Sequence, residues 1–196
     1  MRLQIIKTFA AVAGLLLSVP TIAWSQRSPV IDAKVSVCFS PDGRCVRELL
    51  REIDGAQKTI RVQAVLLTVK PIVRALVRAH QRGLDVAVIL GRKLGQQPHR
   101  PDVCERLASG GVPGVQMASV GIPVFIDDQN IKTAHNKITI IDGRLVIGGS
   151  FNYTYSADRR NAENMTFTWS EELAKRYVAH WTQRQAASRP IFRPSC

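Results

Sequence analysis

The stretch Ala134-His135-Asn136-Lys137-Ile138-Thr139-Ile140-Ile141-Asp142-Gly143-Arg144-Leu145-Val146-Ile147-Gly148-Gly149-Ser150-Phe151-Asn152 reads as a strand, a tight turn at Asp142-Gly143, and a second strand ending in small residues. His135 and Lys137 are two positions apart on the first strand, so both side chains leave the same face. Thr139 continues that face, while Ile138 and Ile140 point the other way, into a core. Gly148-Gly149 lets another backbone or a ligand come close, and beyond it Ser150 and Asn152 again share a face. An imidazole, an ammonium, a hydroxyl and a carboxamide can therefore converge on one spot. That set suits an anionic group, most simply a phosphate.

Upstream, Val35 to Phe39 alternates as a strand, and Val46, Leu49, Leu50, Ile53 and Ala56 fall at helical spacing. Thr59 to Thr68 is β-branched and nearly continuous, as a strand buried on both faces would be. Pro71 suits the first turn of the next helix, whose stripe is Ile72, Val73, Leu76 and Val77 and which Gly83 ends. Leu84 to Leu90 is a further buried strand, so the spacing predicts a βαβ unit with parallel strands and a right-handed crossover. Gly91 to Pro101 reads as a basic loop near the site, Asp102 to Ala108 as a short helix, and Gly110 to Gly121 as an insertion. Within the insertion, Val112-Pro113-Gly114 and Gly121-Ile122-Pro123 look like one turn written twice. Pro123 to Ile126 is a strand, and Asp127 to Asn130 a turn.

Downstream, Tyr153 to Asn161 reads as a polar loop and Asn164 to Trp169 as a strand. Ser170 caps a last helix that carries Glu171 and Glu172 at its positive end and buries Leu173, Tyr177, Val178 and Trp181. Arg184 to Pro194 is a basic tail. The fold class expected is α/β, one domain with a mixed β-sheet flanked by helices.

The chain has 196 residues, 45% of them hydrophobic, which is room for one core. Arg2 and Lys7 precede an apolar run from Thr8 to Val19 that is too short to span a membrane. Ala23-Trp24-Ser25 then presents small residues at the two positions a signal peptidase inspects. Residues 1–25 are therefore expected to be a signal peptide cleaved before Gln26, leaving 26–196 as an exported domain. A retained N-terminal anchor is the alternative. Cleavage removes Arg2, Lys7 and no acid, so the net charge of +12 falls to +10. A domain that basic expects a polyanion, nucleic acid or an anionic membrane surface. Cys38, Cys45, Cys104 and Cys196 lack the paired spacing of a zinc site. In an oxidising compartment Cys38 would pair with Cys45 across Ser40-Pro41-Asp42-Gly43, and Cys104 with Cys196, although three connectivities are open.

His135, Lys137 and Asp142, followed by Gly148, Gly149, Ser150 and Asn152, resemble the HKD motif of the phospholipase D superfamily. Arg160-Asn161-Ala162-Glu163-Asn164 is similar to the glutamate-bearing segment of that family's small, single-motif bacterial endonucleases. The likeness extends more loosely from Cys38 to Trp181. One departure is Val65-Leu66-Leu67-Thr68, where the small nucleases tend to carry an aromatic, hydroxyl-rich run.

Phosphodiester hydrolysis needs a nucleophile, neutralisation of the non-bridging oxygens, and an acid for the leaving alkoxide. His135 is expected to attack phosphorus and form a phosphohistidine. Lys137 and Asn152 bind the oxygens, Ser150 is a further donor, and Glu163 accepts from the other imidazole nitrogen. The resemblance implies the same roles. Asp142, at odd spacing from His135, faces away and is expected to serve the turn or a salt bridge. No metal or other cofactor is called for, because the cluster lacks the carboxylate pair that Mg²⁺ wants. His80, His99 and His180 lack motif surroundings, so the acid must come from elsewhere. The resemblance implies a symmetric homodimer in which two copies of His135 face each other. The expected activity is a sequence-nonspecific endonuclease acting on DNA, with RNA as an open second substrate. A phospholipase D-type hydrolase of lipid headgroups is the alternative, and a nucleic-acid-binding protein with a relic site is a third.

Overall fold

The computed structural model describes residues 28, 30–42, 44–91, 113–127 and 134–191. Strand β1 (Lys34–Phe39) leads into helix α1 (Arg44–Gly55), and strand β2 (Thr59–Ala64) into helix α2 (Lys70–Gln81). Strand β3 (Asp85–Gly91) follows, then helix α3 (Pro113–Ser119) and strand β4 (Val124–Asp127). Strands β5 (Lys137–Ile141) and β6 (Leu145–Gly149) form the central hairpin. Helix α4 (Tyr155–Arg159), strand β7 (Asn164–Trp169), helix α5 (Glu171–Ala186) and strand β8 (Arg189–Pro190) complete the described chain.

All eight strands lie in one sheet, in the order β1-β7-β6-β5-β2-β3-β4-β8. The expected parallel unit is present: β2 pairs with β3, and β3 with β4, both parallel. Every other pair is antiparallel, so the sheet is mixed. Period-2 alternation divides its two faces. Ile60, Val62, Val86, Val88, Leu90, Ile141, Leu145, Ile147, Met165 and Phe167 pack with α1, α2 and α3 into the larger core. Ala87, Ile89, Ile138, Ile140 and Val146 look the other way and are covered by Ala174 and Trp181 of α5. Trp181 is held at its edge and on its face: its indole N–H donates to the Val62 carbonyl at 3.0 Å, and the Arg61 guanidinium lies over the ring, 5.5 Å from its centre.

The hairpin loop runs from Asp142 to Arg144 between the paired Ile141 and Leu145; φ is positive at Asp142 and Gly143, 52° and 61°, and the Arg144 N–H donates to the Ile141 carbonyl at 3.1 Å. Ser170 caps α5 by accepting from the Leu173 N–H at 3.3 Å. Cys38 and Cys45 form a disulfide, as expected; Cys104 and Cys196 lie outside the described residues. So do residues 1–27, the 92–101 loop and the 102–108 helix. Among the described residues no helix is long and apolar enough to cross a membrane.

Five expectations are corrected. The strand starting at Thr59 leaves the sheet after Ala64, because Leu67 turns to bridge Tyr153 and the N–H groups of Thr68 and Val69 both donate to the Tyr153 carbonyl. Much of the supposed insertion is α3, which starts at Pro113, buries Met117 and Ala118, and connects the parallel pair β3 and β4. Asp127 is no turn residue: it ends β4, is 1% exposed, and accepts from Arg184 Nε at 2.9 Å. That ion pair also explains why the basic tail is ordered at its start, since α5 runs past Arg184 to Ala186 and β8 then pairs with β4. The polar loop after Asn152 contains α4, capped by Thr154, whose hydroxyl accepts from the Ala157 N–H at 3.2 Å.

Candidate active site

β5 and β6 deliver the motif residues to one end of the sheet. A cleft of about 670 Å³ opens there, lined by His135, Lys137, Ser150, Asn152 and Glu163, with Thr166, Leu173 and Tyr177 on its wall. The close approach that Gly148-Gly149 allows is used by the backbone of β7. A Cβ on Gly149 would sit 2.3 Å from the Asn164 carbonyl oxygen, so no other residue fits without moving a strand. The same approach locks Ser150 to Asn164: the Ser150 N–H donates to Asn164 Oδ1 at 3.3 Å, and Ser150 Oγ accepts from the Asn164 N–H at 3.1 Å. The Ser150 hydroxyl proton has no partner among the described residues.

His135 is exposed to the cleft, and Lys137, only 8% exposed, reaches back to it. The Lys137 ammonium lies 2.9 Å from His135 Nδ1, 3.2 Å from Nε2 and 2.8 Å from the His135 carbonyl oxygen. Burial lowers the Lys137 pKa from its ordinary value, and the Glu163 carboxylate opposes that shift. Beneath Lys137, Thr139 is buried against the Tyr153 hydroxyl at 2.9 Å. Burial pushes the Tyr153 phenol up to about 12, so it stays protonated against Thr139. Asn152 lines the cleft with its Oδ1 turned into the protein, buried and without a hydrogen-bond partner among the described residues.

Glu163 lies where the cleft needs a carboxylate, but the expected bond to the imidazole is not formed. The Lys137 ammonium lies against the ring and can donate only to the nitrogen that carries no proton, and Glu163 Oε1 accepts from Asn161 Nδ2 at 3.0 Å. Its backbone is held by a residue that the sequence did not single out. Ser40 donates its N–H to the Glu163 carbonyl at 3.0 Å and its hydroxyl to the Asn161 carbonyl at 2.9 Å, and accepts from the Glu163 N–H at 3.2 Å. Ser40 sits inside the loop closed by Cys38 and Cys45, so the disulfide supports the Glu163 segment.

Asp142 is outside the cleft. Its carboxylate accepts from the backbone N–H groups of Gln57, Lys58 and Thr59 at 2.9, 2.7 and 3.0 Å, tying the hairpin turn to the start of β2. Burial works to raise its pKa, but those three bonds and the nearby Arg144 outweigh it, and the net direction is down. Of the other histidines, His80 is half-buried in the last turn of α2. His99 lies outside the described residues, and exposed His180 has Nε2 3.4 Å from Asn136 Nδ2. Asn136 in turn donates to Gln63, which reaches Asp127; this polar chain was not expected from sequence.

A family model described as "Cardiolipin synthase, PLD-like domain" matches residues 49–184, well over half the chain. The chain belongs to the phospholipase D superfamily. A protein named phospholipase D from Rickettsia felis is 34% identical over 171 residues, covering 87% of this chain and 79% of that one. The human mitochondrial cardiolipin hydrolase is 26% identical over 162 residues, covering 80% of this chain and 59% of its own. Among solved structures, the phospholipase D family member Nuc from Salmonella typhimurium superposes with a TM-score of 0.70 at 31% identity, covering 82% of this chain and 99% of that one. As a phospholipase D superfamily member with a phospholipase D-like sheet, the protein is a phosphodiester hydrolase.

Proposed function

We propose that the chain is an exported, metal-independent, sequence-nonspecific endonuclease, working as a symmetric homodimer with residues 26–196 as its catalytic domain. The observation that carries it is the cleft itself: His135, Lys137, Ser150, Asn152 and Glu163 line one cavity in a chain of net charge +12. A neutral His135 nitrogen attacks phosphorus, forming a P–N bond as the P–O bond to the leaving group breaks. The leaving alkoxide takes a proton from the second His135. A water molecule then attacks the phosphohistidine, returning a proton to that second imidazole and freeing the first. Lys137 and the Asn152 amide N–H groups hold the non-bridging oxygens, with the Ser150 hydroxyl as a third donor. A phosphate entering the cleft draws the Lys137 ammonium off the ring, which leaves a ring N–H to Glu163.

The seat for the second copy is supported by the surface beside the cleft. Val35, Val37 and Phe39 are 60%, 49% and 64% exposed, on one face of β1. Their register partners are Thr168, Thr166 and Asn164, and both threonines line the cleft. An apolar stripe bordering a cleft whose described lining holds a single histidine is where a partner would bring the other. Export is supported by the composition of residues 1–25 and by the Cys38–Cys45 disulfide.

The names of the relatives favour a second reading, hydrolysis of a lipid headgroup at the same residues. Plasmid nicking in chelator, run beside release of headgroup from cardiolipin-containing vesicles, separates the two. Nicking that His135→Ala abolishes is the expected result. Lipid turnover without nicking would replace the nuclease by the lipase.

A further inference from the structure

A second cavity, of about 520 Å³, shares no lining residue with the catalytic cleft. It lies where α1, the junction before α2, and α4 meet. Its rim carries Arg47, Lys70 and Arg159, and its wall is Val46, Leu50 and Pro71. Arg159 is paired with Asp158, but Arg47 and Lys70 have no hydrogen bond or ion pair among the described residues. At the start of α2, Val69 gives no side-chain cap, and no acidic residue stands in the first turn. Two cations without a partner among the described residues flank the cavity and suit a phosphate by charge; the helix start adds little to them, since Pro71 has no N–H and the Ile72 N–H donates to the Val69 carbonyl at 3.0 Å.

The other half of the cavity suits a base. Tyr155 is 63% exposed, an unusual position for an aromatic ring on a short helix, and the Arg160 guanidinium lies 5.6 Å from its ring centre. An exposed ring backed by a guanidinium, beside an apolar wall, is a stacking platform for a flat π-system. Asp158, 7% exposed on the same lining, pairs with Arg159 and so holds that guanidinium at the cavity edge. The platform is also close to the chemistry. Tyr155 follows Asn152 by three residues, so their Cα atoms are at most about 11 Å apart, one or two nucleotide steps.

We infer that this cavity is a single-strand subsite: it takes one nucleotide of the substrate strand outside the catalytic cleft, base on Tyr155 and phosphate at Arg47 and Lys70. The inference rests on the nucleic-acid reading of the cleft and narrows it. A base within a duplex is stacked on its neighbours and cannot lie on Tyr155, so the subsite favours single-stranded or locally opened substrate. Because every base has a π-face, the preference carries no sequence specificity.

The test is equilibrium binding of a fluorescent single-stranded oligothymidylate and of a matched duplex to full-length His135→Ala protein, which cannot cleave them. Adding Tyr155→Ala should weaken single-strand binding about tenfold or more, the range for losing one base–aromatic stack, and leave duplex binding nearly unchanged. Tyr155→Phe should retain binding, because the ring is what is used. Arg47→Ala should make the plot of log affinity against log salt shallower by about 0.7 for the single strand, the value of one lost phosphate contact. Equal oligothymidylate affinity in the Tyr155→Ala and parent proteins, with melting temperatures matched, would overturn the subsite. Loss of binding to anionic phospholipid vesicles with no loss for the oligonucleotide would overturn it too, and give the cavity to lipid. The two proposals fail separately: Tyr155-dependent binding in a protein that nicks no plasmid keeps the subsite and removes the nuclease. Nicking with Tyr155-independent binding does the reverse.

Discussion

Replacing Asp142 should unfold the protein more easily without slowing its chemistry, although this residue supplies one letter of the HKD motif. In the structure its carboxylate accepts three backbone N–H groups, from Gln57, Lys58 and Thr59, and none of its contacts reaches the cleft. A hydrogen bond to a charged acceptor contributes about 1.5–3 kcal/mol where water is excluded. Only the bond from Thr59 is partly buried; the other two are exposed, so water replaces much of what they give. About 2 kcal/mol is a fair total for the three. Alanine at the positive φ of residue 142 adds about 1 kcal/mol of backbone strain, bringing Asp142→Ala to about 3 kcal/mol. For a domain of this size that is a fall in melting temperature of about 6–12 °C. Asp142→Asn, which tolerates the turn and still accepts, should lose about 1 kcal/mol. The pH dependence has a definite sign. The folded pKa is below the ordinary 3.8, so the carboxylate stabilises the fold above that value and stops doing so as pH falls through the folded pKa. The gap in stability between wild type and Asp142→Asn should therefore narrow below pH 3.8. Thermal unfolding across pH, with kcat measured well below the melting point, checks both halves. A folded Asp142→Asn protein with unchanged melting temperature and a hundredfold lower kcat would place Asp142 in the chemistry and refute the reasoning.

Lys137→Met should lower turnover about 10²–10³-fold while leaving the melting temperature equal or higher, because it replaces a buried cation by an apolar chain of similar length; a destabilised variant would show that Lys137 holds the fold as well. Opening the Cys38–Cys45 bridge with reductant should cost about 2.5 kcal/mol by loop closure and also slow turnover, since the closed loop carries the Ser40 contacts to Glu163. Unaltered melting and turnover with both thiols titratable would contradict this. When wild-type and His135→Ala chains are mixed equally and allowed to exchange, about one quarter of the activity should remain, because only the wild-type dimer has both histidines. One half remaining would mean a complete site in each chain and would turn attention to His180.

The features legible in the sequence were those set by neighbours along the chain. Alternation gave the two faces of β5, because Ile138 and Ile140 must be buried together wherever the strand goes. Asp142-Gly143 announced its turn because few residue pairs accept positive φ twice, and Ser170 announced a helix start. Asp127 and Arg184 are 57 residues apart, and nothing local marks either as the other's partner, so one read as a turn and the other as a tail. Helix α4 is five residues long, too short to show a period, and Tyr153 before it looked polar only until its ring was seen buried under Thr139. The site followed the same rule. Motif spacing brought His135, Lys137, Ser150, Asn152 and Glu163 to one cleft, but not which atom each side chain would touch. Glu163 accepts from Asn161 and the Lys137 ammonium sits against the imidazole, pairings that the spacing alone does not announce.

The cleft is also where the chain departs from what stability alone would choose. Lys137 is a charge taken largely out of water, and the direction of its pKa records that burial disfavours the charged form. Asn152 keeps a buried acceptor without a donor among the described residues, and Gly149 keeps an unsubstituted backbone at the end of a paired strand. Lys137 is compensated inside the cleft, by its contacts with His135 and the nearby Glu163 carboxylate; the other two are not. They are compensated around it: by Asp142 closing the hairpin on β2, by Ser40 and the disulfide holding the Glu163 segment, and by Trp181 fastening α5 across β2. Each of those contacts fixes the backbone that bears a cleft residue, and none touches the cleft space. Such a division is what electrostatic preorganisation requires, because groups held in place before the phosphate arrives need not be reorganised when its charge develops. It follows that Asp142 and Trp181 should separate from the cleft residues by phenotype, the first two moving melting temperature and the cleft residues turnover, with the Cys38–Cys45 bridge moving both. Ser40 stands at the boundary between the two sets, the position from which a single buried hydroxyl can change both.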